Sequence, residues 1–124
     1  MSAGWWIAFL AAAVGGAVAR YLLDLVVQER TGGGFPWGTC VINISGSFAL
    51  GLITGAVLYH GFSSQGRFVL GTGFCGAYTT FSTFTFETLS LAESGRPLAA
   101  ARNVVLSTAG GLAAAAAGLA VAAL

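Results

Sequence analysis

The sequence predicts an all-α membrane protein: a single domain of four transmembrane helices over residues 1–124, the third of them broken. Three observations carry this. Only 7% of the residues are charged and the mean hydropathy is +0.85, whereas a soluble domain carries about 25% charged residues. Mostly apolar stretches of about 20 residues, long enough to cross a bilayer, occur four times. The third stretch contains GTGFCGAYTTF, with Gly71, Gly73 and Gly76 ahead of Thr79 and Thr80, and both residue types weaken a helix.

The first span covers about residues 5–27. It lacks a basic leading region and is too long for a signal peptide core, so it is expected to be retained. QERTGGGFP forms a Gly/Pro loop, and the second span follows over about 37–60. GFSSQGR turns the chain into the third span, about 68–91. AESGRP turns it again, with Pro97 suited to the first turn of the fourth span, about 98–124. Loops this short leave no extramembrane domain, so the function is expected to lie within the bilayer.

Composition excludes several classes. The net charge is +1 without a single lysine, so nucleic-acid binding has no electrostatic footprint. Cys40 and Cys75 are isolated in apolar segments and make neither a disulfide framework nor a zinc spacing. His60, alone at a span end, has no nucleophile or metal cluster beside it, so the chain is not expected to be an enzyme.

Four spans put both termini on one side. The loop arginine there is Arg67; Arg30 and Arg96 lie on the other side, Arg102 just inside the fourth span and Arg20 well inside the first. Lys/Arg bias sets orientation. A bias this small leaves two outcomes open: a weak single orientation, or insertion both ways, which permits an antiparallel dimer. The glycines leave a second question open. Gly51 and Gly55 form GxxxG, Ser47 extends the row, and Gly15, Gly16, Gly110, Gly111 and Gly118 mark other spans. Such rows let membrane helices approach closely, either within one chain or between copies.

The span centres fall near Gly16, Ala49, Thr79 and Gly111, with no titratable group among them. That argues against a proton-coupled transporter. Arg20 and Asp24 are four apart and can pair on one helix face. Glu87 lies about two turns beyond its span centre, where a charge is costly and usually functional. GTGFCG formally matches a dinucleotide fingerprint, but that motif needs a strand before it and a helix after it, so a discontinuous helix is the better reading. Non-helical backbone at this depth must be buried in protein or line a cavity. Its freed carbonyls can hold a cation, and a two-fold axis would bring two copies of them together.

The hydroxyls then form a track. On a continuous helix Thr79, Ser82 and Thr83 share a face, Thr85 lies beside Ser82, and Phe81 and Phe84 are three apart. The second span offers Thr39, Asn43, Ser47 and Thr54 at helical spacing. Singly, each is expected to bond back to its helix or across to a neighbour; together they suggest a permeation path. Hydroxyl and amide donors beside positive ring edges suit a small anion.

GTCVINISGSFALG (residues 38–51) and GFCGAYTTFSTFTFE (residues 73–87) resemble the signature segments of the Fluc, or CrcB, fluoride channels. The resemblance spans the whole chain, and its TTFSTF string is highly specific. It implies a dual-topology antiparallel homodimer with two fluoride pores and a central structural sodium ion. Gly76 and Thr79 would supply backbone carbonyls to that ion. Asn43, Phe81 and Phe84 would line the pore with Ser82, Thr83 and Thr85. Ser107 is the best fourth-span hydroxyl, on a loose alignment. Glu87 and Arg20 would stand at a vestibule or pore end. Cys40 and Tyr78 depart from the pattern, Tyr78 within the expected break.

The expected function is therefore passive fluoride export across a prokaryotic plasma (inner) membrane, protecting the cell from fluoride, with lipid and a second copy as partners. A small dual-topology multidrug or cation exchanger is the alternative, but it should carry a carboxylate deep in its first span. A non-transporting assembly factor would leave Asn43, Phe81 and Phe84 without a purpose.

Overall fold

A computed structural model describes residues 1–124 in full. The chain is helical throughout, without strands. Helix α1 spans Ala3–Thr31, longer at both ends than the apolar stretch. Its last turn is held by polar side chains: Gln28 Nε2 donates to Asp24 Oδ2 and Thr31 Oγ1 donates to the Val27 carbonyl, both at 2.8 Å. Gly32, at φ 78°, ends the helix in the left-handed conformation that favours glycine. Helix α2 spans Trp37–His60. Helix α6, Pro97–Ala122, opens on its proline. These three helices are each long and apolar enough to cross a membrane, and the chain is a multi-pass membrane protein.

The remaining segment between α2 and α6 is not one helix. It consists of α3 (Ser64–Arg67), a π-helical stretch (Phe68–Cys75), α4 (Gly76–Tyr78), the non-helical residues 79–81, and α5 (Ser82–Glu93). The interruption falls on the threonines, not on the glycines ahead of them. Gly71 and Gly73 lie instead in the widened helix, which keeps its backbone paired; the Gly76 N–H reaches the Gly71 carbonyl. Small residues are needed there because the wide helix presses on its neighbours. A Cβ on Gly73 would sit 3.1 Å from the Phe9 carbonyl oxygen, and one on Gly71 would sit 3.2 Å from Leu50. Thr79 then leaves the helix at φ −78°, ψ 159°. Thr79 and Ser82–Thr83 consequently do not share one helix face.

The glycine rows are used within the chain. Gly51 lies against the Ala115 backbone, Gly55 against Leu119 and Ala122, and Gly118 against the Phe48 carbonyl and Leu52 N–H. Gly110 receives Ile44, and Gly111 sits beside Ser47. Together they seat α2 on α6. Gly16 does the same for α1, meeting the Phe74 carbonyl and Tyr78 N–H. Only 16 of 124 residues are buried, so the closed core of a single chain is slight. Its apolar centre, Phe35, Leu91 and Ala100, lies at one end. There Arg102 stacks on the Phe35 ring at 4.7 Å and Arg96 Nη1 donates to the Gly34 carbonyl at 2.6 Å. Two arginines on that side thus bind the loop between α1 and α2.

Close approach of this kind separates two substitutions. Gly118→Leu should lower stability by at least ~1–3 kcal/mol, the usual range for overpacking, because its Cβ would enter the α2 backbone. Gly15→Ala should be nearly neutral, since the closest obstacle to its Cβ is the Phe74 ring at 3.9 Å. Thermal unfolding in detergent checks both.

Candidate functional site

The break exposes backbone groups that a helix would have paired, and at membrane depth water does not replace the lost partners. One side chain does. Asn43, half-buried on α2, donates from Nδ2 to the Thr80 carbonyl at 2.9 Å, and its Oδ1 accepts the Thr80 N–H at 2.8 Å. The Thr80 hydroxyl accepts the Thr83 N–H at 3.2 Å and donates to Thr83 Oγ1 at 3.1 Å, so Thr80 caps α5. Thr79 turns its hydroxyl back to the Cys75 carbonyl at 2.8 Å. Its methyl rests on Gly46, where any side chain would collide with it.

The carbonyls of Gly76 and Thr79 remain free. The donors that would normally reach the Gly76 oxygen bond elsewhere: the Thr79 N–H to Cys75 and the Thr80 N–H to Asn43. The Thr83 N–H, which would reach the Thr79 oxygen, is taken by the Thr80 hydroxyl. Both residues line an open groove of about 520 Å³, together with Asn43, Ser47, Thr80 and Phe81, and with Arg67 at one end.

The expected pore, vestibule and sodium-site residues divide into groups. Asn43, Gly76, Thr79 and Phe81 meet in the groove. Thr83 and Arg20 line a smaller cavity of about 180 Å³, shared with Asp24, Thr39 and Thr80. Glu87 lies on a third cavity of about 440 Å³, with Gln28, Ser90 and Arg96. Ser82, Phe84, Thr85 and Ser107 line none of these three. Phe81 is 76% exposed. Its ring centroid is 5.9 Å from that of half-buried Phe84, with the planes at 45°.

A count of hydroxyl protons sharpens this. Thr85 Oγ1 faces the Phe81 and Ser82 carbonyls at 3.1 and 2.9 Å, so its proton is committed to its own helix. Ser82 makes no side-chain hydrogen bond, and Thr83 accepts one without donating. These two hydroxyls, with the second N–H of Asn43, are the free side-chain donors beside the break. Ser107 Oγ approaches Asn103 Oδ1 only at 3.5 Å.

Asn103, which did not stand out in the sequence, and Thr39 of the second-span track also build the site. Asn103 is 1% exposed; its Nδ2 donates to Thr88 Oγ1 at 2.9 Å, and Thr88 donates to the Phe84 carbonyl at 2.7 Å. That chain ties α6 to the backbone of Phe84. Asn103 stands four residues before Ser107, a helical spacing that marks it as a neighbour in retrospect. Thr39, 3% exposed, donates to Glu87 Oε1 at 2.7 Å. The expected Arg20–Asp24 pair does not form: Asp24 Oδ2 accepts from Gln28 instead. Asp24 Oδ1 lies against Gly38 at the start of α2, where the helix dipole favours a negative charge. Asp24 Oδ1 and Glu87 Oε2 are buried without a donor.

Comparison with known proteins identifies the family. Residues 6–119 match the family described as CrcB-like protein, Camphor Resistance (CrcB). The chain is 48% identical over 114 residues to a protein of Streptomyces avermitilis named fluoride-specific ion channel FluC 1, covering 92% of each chain. It is 45% identical over 122 residues to a protein of that name from Frankia casuarinae, covering 94% of this chain and 95% of the relative. A third, from Symbiobacterium thermophilum, is 45% identical over 117 residues. With one signature segment on α2, whose Asn43 clamps the break in the other, and the match running nearly end to end, this chain belongs to the CrcB family.

Proposed function

We propose that the protein is a fluoride-selective channel that exports fluoride passively through two pores of an antiparallel homodimer. It would sit in the inner membrane of a prokaryote, surrounded by lipid, and protect the cell from fluoride. The observation that carries this reading is the near-full-length identity, 48% and 45%, to chains named as fluoride-specific ion channels. The geometry supports it. Free donors on Asn43, Ser82 and Thr83 adjoin the Phe81–Phe84 ring pair, and donors with ring edges replace part of a small anion's hydration. Thr85 and Ser107 would join the path only by turning their hydroxyls from present partners. Arg20 would stand beside it in the cavity shared with Thr83, and Glu87 beyond it, beside Gln28 near α1's C-terminus. A second copy would cover the groove and exposed Phe81.

A structural sodium ion fits the same arrangement. Nowhere do three or more His, Cys, Asp or Glu side chains converge, so a cation in the groove would be held by neutral oxygens. The free Gly76 and Thr79 carbonyls are such oxygens, and a two-fold axis would double them. Bound there, sodium would neutralise carbonyl dipoles that face one another across the dimer. The multidrug or cation exchanger reading is not favoured: Gly15, Gly16 and Ala17 occupy the depth where it needs a carboxylate, and Asp24 lies two turns away.

Liposomes carrying the purified protein should lose fluoride rapidly and retain chloride, as read by ion-selective electrodes; equal loss of both, or of neither, refutes the proposal. Phe81→Ile should cut fluoride flux by about tenfold or more, equivalent to about 1.4 kcal/mol, while size-exclusion chromatography still shows the dimer. Asn43→Ala should lower both flux and stability, since it strands the Thr80 N–H and carbonyl at roughly 1–3 kcal/mol each. The dimer's unfolding temperature should rise with sodium and not with N-methylglucamine, as measured by tryptophan fluorescence.

A further inference from the structure

We infer that Tyr78, through the bond between its hydroxyl and Ser45, is a positioning residue for the broken segment. The inference rests on the reading that residues 79–81 border the ion path. The phenol oxygen lies 2.8 Å from Ser45 Oγ. Ser45 Oγ also lies 3.1 Å from the Ile42 carbonyl; with the serine proton turned there, Tyr78 is the donor between them.

Three consecutive residues at the break are each held by a different residue of α2. Tyr78 is tied to Ser45, the Thr79 methyl fills the notch at Gly46, and the Thr80 backbone is clamped by Asn43. Asn43 and Gly46 line the groove, but Ser45 and Tyr78 do not. The third tie therefore acts from behind the segment. The ring stacks on Phe74 with centroids 5.8 Å apart and planes at 20°, while the Tyr78 N–H backs onto Gly16 of α1. Its Cδ1 would lie 3.2 Å from a Cβ on Gly46. The side chain is a peg between α1 and α2, locked at its tip by the hydroxyl bond.

The surroundings make that lock count. Ser45 is exposed on a membrane-spanning helix, where the covering material is lipid or another helix, not water. A phenol hydroxyl without a partner there is costly, so the bond has no aqueous substitute. Releasing it frees the ring to swing, and Thr79 follows directly in the chain. The Thr79 carbonyl and Phe81 would then lose their fixed directions, although Asn43 keeps its grip on Thr80. This gives a purpose to a tyrosine that the family resemblance leaves as a departure.

The test pairs a structural readout with flux. In Tyr78→Phe and in Ser45→Ala, hydrogen exchange at the Thr79 amide, which is bonded to the Cys75 carbonyl, should quicken by about 3- to 10-fold, the range for one hydrogen bond between membrane helices. Exchange in α1 and α6 should not change. The double variant should match either single one, and Ser45→Thr should restore the wild-type rate. Fluoride flux should fall in the same variants and recover in Ser45→Thr. Unchanged exchange, or additive effects in the double variant, overturns the tie between Tyr78 and Ser45. Faster exchange with unaltered flux overturns its positioning role. If wild-type liposomes keep their fluoride, the channel reading fails, and the exchange data still decide whether the tie exists.

Discussion

The two hydrogen bonds between the Asn43 side chain and the Thr80 backbone are the contact on which the rest of the structure depends. A helix broken inside a bilayer leaves an N–H and a carbonyl without water, and each such group costs free energy in lipid. A primary amide carries a donor and an acceptor side by side, which is what the backbone of one residue lacks when its helix ends. With Thr80 fixed, its hydroxyl is placed to cap α5, and α5 starts in a set direction. The Gly76 and Thr79 carbonyls are left free because their usual donors are occupied elsewhere. An asparagine read as a pore donor is therefore first a clamp, with one N–H to spare.

Around that clamp the helices approach one another through missing side chains. Gly51, Gly55 and Gly118 bring α2 onto α6, Gly16 brings α4 onto α1, and Gly46 admits the Thr79 methyl. Without a hydrophobic drive between apolar helices, close packing and polar ties supply the association. The ties are few and specific: Thr39 to Glu87, and Asn103 through Thr88 to the Phe84 carbonyl. They fix α5 from both sides, and α5 carries Phe84 and the free hydroxyls. The outcome is a thin unit with little closed core, whose exposed apolar surface suits lipid and whose polar groove suits a second chain.

Sequence and structure differ where a local rule met a tertiary partner. Glycines and threonines both announce a weak helix, yet only the threonines break it. Gly71 and Gly73 can lie in a widened helix with their N–H groups paired, whereas Thr80 has an external partner for its backbone and can leave. Arg20 and Asp24 have the spacing of a helical ion pair, but Asp24 turns to Gln28 and to the start of α2. The glycine rows were open between intrachain and interchain use, because spacing names a face and not what covers it. Asn103 gave no signal, since one amide in an Ala/Val/Leu helix has no pattern until its partner is known.

The sequence alone determined the membrane environment, the four apolar stretches, the family and the set of residues around the break. Hydropathy and signature strings are local properties, and they survive without knowledge of contacts. Tertiary structure alone decided where the third helix opens, which carbonyls it frees, and which hydroxyl protons remain available. Those outcomes depend on hydrogen-bond partners 37 residues apart in the chain, Asn43 and Thr80, and 33 apart, Ser45 and Tyr78. A donor's freedom is a property of the pair, and only the folded chain brings the pair together.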